Sequence, residues 1–137
     1  KGMSIIKHRH EMELLWKAYK YEVMWHSQQS YNEIREMLKG QCEYRDVEEA
    51  IDHALSIQPS KGSVINTFSH IWGYFKKFCS ASEKALFKKL KAQYLLDRID
   101  THTLIFFIYC MTRYYDVTYL KESTVIKNFS IANKSFK

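Results

Sequence analysis

A single proline and four glycines punctuate this chain of 137 residues. So few breakers leave little material for the repeated tight turns of an all-β fold and point to helices instead. Long hydrophobic runs are missing as well. The longest, Thr103 to Thr112, is closed by charge at Asp100 and Arg113, well short of the roughly 20 residues a membrane-spanning helix needs. No membrane association is expected. The stretch Lys1-Gly2-Met3-Ser4 leads straight into an amphipathic segment without an apolar signal core, so secretion is not expected either. Cysteine is scarce: Cys42, Cys79 and Cys110 are odd in number and widely spaced. That suits buried free thiols in a reducing compartment better than a disulfide framework, and the expected location is cytoplasmic.

Chemical motifs are equally thin. No cysteine pair has zinc-ligand spacing, no glycine-rich loop is shaped to cradle phosphate, and no serine sits in a nucleophile elbow. His8 and His10, two residues apart, point in different directions on a helix and do not make a shared metal site. Glu48 and Glu49 read as a solvated helix face rather than an acid and base pair. No catalytic residue, metal ligand or cofactor is assigned on these grounds.

What the chain does contain is enough apolar material, 46% of residues, to bury one core. The expected fold is all-α, a compact single-domain bundle of about six or seven helices over residues 1–126, with a loose tail at 127–137. From Ile5 to Met24, Met12, Leu15, Trp16, Tyr19 and Val23 recur at the three- and four-residue steps of one helical face. Ser30-Tyr31-Asn32-Glu33 reads as a capping box opening a second helix, with Gly40 as its left-handed stop. Val47, Ile51, Ala54, Leu55 and Gln58 give a third, ended at Pro59. A fourth carries Val64, Phe68, Ile71, Trp72, Phe75 and Cys79 on one face, and Asn66, His70, Tyr74 and Lys77 along a neighbouring one. Gly73 is expected to permit a close helix crossing or the approach of a ligand. Ser80-Ala81-Ser82-Glu83 is another capping box, opening a fifth helix through Leu86, Leu90 and Tyr94. A sixth, from about Thr103 to Tyr114, is nearly apolar all round and therefore expected at the centre. A short helix near Tyr119 to Ile126 follows.

Charge supplies the clearest functional signal. The chain carries 21 Lys and Arg against 15 Asp and Glu, and the excess is uneven. Lys76, Lys77, Lys84, Lys88, Lys89 and Lys91 crowd one segment opposed only by Glu83, with Arg98 not far beyond. Such a stripe attracts polyanions through phosphate contacts and counterion release; it is also an ordinary means of staying soluble. His26, near Ser27 and Tyr31, and His70, between Asn66 and Tyr74, form the second candidate, either a polar cluster that meets a ligand or hydrogen-bonded pins between helices. Trp25, Tyr31 and Tyr74 are candidate stacking partners for unpaired bases, although aromatics at helical spacing more often belong to a core.

Two stretches carry a family likeness: Lys20-Tyr21-Glu22-Val23-Met24-Trp25-His26-Ser27 with Tyr31, and Asn66-Thr67-Phe68-Ser69-His70-Ile71-Trp72-Gly73-Tyr74-Phe75-Lys76-Lys77. Together they resemble the YbgA-like family of bacterial domains of unknown function, over roughly Ile6 to Ile126. Asn66, His70, Gly73, Tyr74, Phe75 and Lys76 match the family pattern, and Tyr94 and Tyr119-Leu120 look like later landmarks. Leu95 to Ile99 departs from the glycine- and proline-bearing segment usual there. Members occur alone or fused to a domain similar to thiouracil desulfidases, which implies an accessory role with thiolated RNA nucleosides. The three cysteines do not follow a desulfidase pattern, so that activity is not carried over. The expected function is a non-catalytic RNA-binding module, with tRNA the expected class and the six lysines holding phosphates. The alternative is a scaffold that docks a desulfidase-like enzyme partner. A third class is an enzyme built on the two histidines.

Overall fold

The computed structural model describes residues 2–135, and the side-chain surroundings of residues 8–129. Among the described residues all regular structure is helical, as expected for an all-α chain, in eight helices. They are α1 (Gly2–His26), α2 (Gln28–Lys39), α3 (Tyr44–Leu55), α4 (Lys61–Trp72), α5 (Ala81–Leu95), α6 (Thr101–Tyr114), α7 (Thr118–Lys121) and α8 (Thr124–Ser135). No described helix is long and apolar enough to cross a membrane.

α1 has 25 residues and so runs about 37 Å at 1.5 Å per residue. That length lets one helix serve two cores. Met12 and Val23 pack with Ile34 of α2 and Val47, Ile51 and Ala54 of α3, while Leu15, Trp16 and Tyr19 line the edge of this cluster half-buried. Tyr21, Met24 and Trp25 enter the larger cluster built with α4 to α8. Val23 and Met24 are both fully buried; successive residues lie about 100° apart around a helix, so one faces each core. The apolar stripe legible in the sequence belongs to the smaller core alone.

The larger core is an aromatic stack. Trp72 lies parallel to Phe87 with ring centroids 4.5 Å apart and planes 6° from parallel. Phe68 stacks on Phe87 at 5.0 Å, and Phe107 closes the group 5.9 Å from Trp72. Aromatic pairs at these separations contribute beyond the area they bury.

Helix ends decide where side chains are aimed. The capping box at Ser80 forms as expected: Glu83 donates its backbone N–H to Ser80 Oγ at 3.1 Å, and Ser80 N–H reaches Glu83 Oε1 at 2.8 Å. The box expected at Ser30 does not start α2. Ser27 is the N-cap, accepting from the Ser30 backbone at 3.0 Å, and Ser30 is itself buried. Ser27 prevails because α1 runs to His26 and leaves one residue for the break. Gly40 caps α2 in extended backbone, φ −101°, rather than the left-handed conformation; Arg9 caps α2 instead by donating to Leu38 O and Gly40 O. α3 stops at Leu55, short of Gln58, the one residue that Pro59 itself drives out of the helical region.

Two further stops need no glycine. Asp97 after α5 and Asp116 after α6 adopt φ of 60° and 56°. In each, a six-to-one backbone bond closes the helix: Arg98 N–H to Gln93 O at 2.9 Å, and Val117 N–H to Thr112 O at 3.1 Å. This is the Schellman arrangement, in which aspartate tolerates the left-handed position that glycine usually takes.

Gly73 ends α4, and a methyl group there would sit 3.0 Å from the His70 carbonyl oxygen. The missing side chain therefore relieves its own preceding turn rather than admitting a crossing helix or a ligand. Beyond it the chain tightens, with Tyr74 N–H bonded to Ile71 O and Phe75 N–H to Trp72 O in the three-residue pattern. α6 is not buried all round: Leu104, Phe107, Ile108 and Met111 face the core, while Phe106, Cys110 and Tyr114 are exposed. The cysteines are free as expected, but Cys42 and Cys79 are only half-buried. The segment expected to form a tail from residue 127 continues α8 to Ser135, held by Phe129 in the protein interior and by Asn128 donating to Glu22 at 3.1 Å. Phe136 and Lys137 lie outside the described residues.

Candidate nucleic-acid interface

The local sequence arranges the lysines through α5. Phe87, Leu90 and Tyr94 turn inward from it, and Lys84, Lys88 and Lys91 follow at four- and three-residue steps along one flank, a stripe of about 10 Å at 1.5 Å per residue. Lys84, Lys88 and Lys89 are exposed, as are Lys76 and Lys77 on the turn before α5; Lys91 is half-buried. The ion pairs among the described residues lie elsewhere: Arg9–Glu13, Lys39–Glu36, Lys61–Asp97, Lys121–Asp116 and Lys127–Glu122. None of the six lysines has a carboxylate partner there.

Glu83, the one acid in this segment, is engaged by structure. Its Oε1 accepts the Ser80 N–H and, at 2.5 Å, the hydroxyl of Tyr115, the residue that caps α6. The Tyr115 hydrogen bond, and after it the Ser80 backbone bond, hold the Glu83 carboxyl below its ordinary range. The same contact pushes the Tyr115 phenol up to about 12, so Tyr115 remains a donor at neutral pH.

The residues of the polar stripe are drawn to three different neighbours. Asn66 donates to Gln28 Oε1, and Gln28 donates in turn to Asn32 at 2.9 Å. His26 donates from Nδ1 to the Ile57 carbonyl at 2.7 Å. Tyr74 shares a hydrogen bond of 2.8 Å with the hydroxyl of Tyr21, whose phenol is pushed well above its usual range by burial and then by that bond. The corner between α1 and α2 docks on α4 through Gln28 and through Ser63, which donates to Trp25 O at 2.8 Å. This sets His26 on the segment facing the Asn66 turn while its ring is committed to Ile57. His70, one turn further along, is exposed.

The aromatic residues expected to meet bases are occupied. Trp25 is buried. Tyr31 packs on Trp16 at 5.4 Å, with the Arg35 guanidinium 5.9 Å from its ring centre. Tyr74 stacks on Tyr119 at 5.7 Å, and Lys17 and Lys20 stand 5.0 and 5.1 Å from the Tyr119 ring. The aromatics left open are Phe78, 50% exposed, Phe106 and Tyr114, 78% exposed. Tyr114 was hidden in the sequence at the end of a helix that read as apolar all round, and Phe78, directly after Lys76 and Lys77, fell on no face that the sequence singled out.

Two surface cavities are formed by other residues. One, of about 1020 Å³, runs between the start of α1 and the α2–α3 connection, lined by His8, His10, Met12, Cys42, Tyr44 and Arg45 among others. The second, of about 690 Å³, lies at the α5–α6 connection beside Tyr94, Arg98 and Lys61. Among the described residues no group of three or more His, Cys, Asp or Glu side chains is placed to hold a metal ion.

The chain belongs to the family described as "Protein of unknown function (DUF1722)", which matches residues 20–130. Neither a curated protein nor a solved structure matches the chain.

Proposed function

We propose that this chain is a non-catalytic helical module that binds RNA, with tRNA the expected class. The observation that carries this reading is the segment Lys76, Lys77, Lys84, Lys88, Lys89 and Lys91, whose ammonium groups have no carboxylate partner among the described residues. Clustered charge of one sign without internal compensation is what a phosphate backbone neutralises, with release of counterions. Within the DUF1722 family the YbgA-like assignment is the finer part of the proposal, and with it a link to thiolated RNA nucleosides. His70 is the residue of the polar stripe left open to a base, ligand or partner, while His26, Tyr31, Asn66 and Tyr74 hold the helices behind it.

The test is titration of labelled tRNA at rising salt. Affinity should fall linearly on a log–log plot, and the double change Lys88→Glu and Lys89→Glu should weaken binding across RNA sequences alike. Both side chains are exposed, so the unfolding midpoint should hardly move. A folded protein that binds no RNA at low salt overturns the proposal in favour of a scaffold that docks an enzyme partner.

A further inference from the structure

A chain of aromatic rings leads out of the core beside the lysines. Phe75 is fully buried; Phe78 meets it with ring centroids 6.1 Å apart, and Tyr115 meets Phe78 at 4.8 Å. Tyr114 then stands edge-on to Tyr115 at 4.8 Å and 89°, with 78% of its surface open to water. The inner end, Phe75, is held by the core, and Tyr115 further out is fixed by its hydrogen bond to Glu83. The outer end is held by backbone, since Tyr114 closes α6 and the bond from Val117 to Thr112 locks the turn after it. The rings are thus anchored at the base and open at the tip.

Exposed lysines adjoin the inner rings and Glu83 along the chain. Lys76 and Lys77 immediately precede Phe78, and Lys84 immediately follows Glu83. An apolar protein partner would cover the rings but leave these ammonium groups without counter-charge. A nucleotide answers both, because its base has an apolar face and its phosphate is an anion. A duplex answers only the charge, since its base faces are consumed in its own stack.

Resting on the RNA reading above, we propose that Phe78, Tyr114 and Tyr115 form a stacking platform for unpaired nucleotides whose phosphates lie on the neighbouring lysines. Single-stranded or looped RNA is then the preferred ligand, and Tyr114 is the ring that takes the base. The experiment compares a labelled oligouridylate with a blunt RNA duplex of equal length by fluorescence anisotropy, on the full chain. Tyr114→Ala should weaken oligouridylate binding about tenfold and leave duplex binding unchanged, and Tyr114→Trp should restore it. With Tyr114 so exposed, circular dichroism should give all three proteins the same unfolding midpoint. Equal oligouridylate affinity for Tyr114→Ala and the parent overturns the platform, as does an equal loss on the duplex. If Lys88→Glu with Lys89→Glu weakens both RNAs while Tyr114→Ala changes neither, the lysine reading stands and the platform falls. If the parent binds neither RNA at low salt, both fall.

Discussion

The two cores that share α1 are built on different principles. The smaller, between α1, α2 and α3, is aliphatic at its centre: Ile34, Val47, Ile51 and Ala54 meet Met12 and Val23. The larger, between the end of α1 and α4 to α8, is centred on Phe68, Trp72, Phe87 and Phe107 in stacked or tilted contact. Aliphatic side chains pack by shape and rotamer alone, whereas rings add a preference for how their faces and edges meet. The larger core therefore fixes the relative setting of α4, α5 and α6, and with them the lysines and open rings of the candidate interface. The difference teaches that the surface proposed to bind rests on the part of the molecule whose packing is set by ring geometry as well as by shape.

Three measurements can break or sharpen that contrast. The largest effect is expected from Trp72→Ala. Trp72 is 4% exposed and touches Phe75, Phe87 and Phe107, so truncation should cost about 3 to 5 kcal/mol in urea unfolding. A cost under 1 kcal/mol would mean the stack closes over the gap and is not the organising element. A smaller loss is expected in the aliphatic core, where Ile51→Val removes one methylene from a residue 3% exposed and should cost about 0.5 to 1.5 kcal/mol. If it instead matches Trp72→Ala, the two cores are equally demanding and the comparison fails.

The smallest effect concerns pH, at the contact that joins α5 to α6. Tyr115, and then Ser80, hold the folded Glu83 carboxyl below its ordinary value of 4.5. A depressed folded value means that the stability it contributes is present above the unfolded value and is lost as pH falls through the folded one. Tyr115→Phe should therefore be slightly less stable than the parent at pH 7, and the difference should shrink as pH falls below the ordinary carboxylate range, as read from urea midpoints. A difference that persists undiminished into acid would assign the effect to the hydroxyl itself and not to the Glu83 charge, since phenylalanine keeps the ring. Glu36, lowered by Lys39 on its own helix, offers the control in the smaller unit, since removing that pair alters no contact between helices.

Some of the candidate site was legible in the sequence because its cause is local. The Ser80–Glu83 box depends on residues three apart, and the lysine stripe on α5 follows from the helical repeat. The ends of α5 and α6 were legible to within a residue, but the left-handed aspartates that close them, Asp97 and Asp116, were not, since no glycine marks them. Nor was the choice of Ser27 over Ser30, which depends on where α1 stops. The periodicity of Asn66, His70 and Tyr74 is legible, but not the partners Gln28 of Asn66, Tyr21 of Tyr74 and Ile57 of His26, because these meet only once α1, α2 and the α3–α4 connection pack together.

By itself the sequence determined the helical class, several of the helices, the excess of lysine between residues 76 and 91, and the lack of local metal-ligand spacing. These are properties of composition and of contacts within a turn or two. Only the tertiary structure decided that α1 serves two cores, that Trp25, Tyr31 and Tyr74 are spent on packing, and that Phe78 and Tyr114 stand open to water. A nearly all-apolar helix such as α6 carries no periodic signal to say which face is outside. That choice is made by the neighbours that bury Leu104, Phe107, Ile108 and Met111 and leave the opposite side to water.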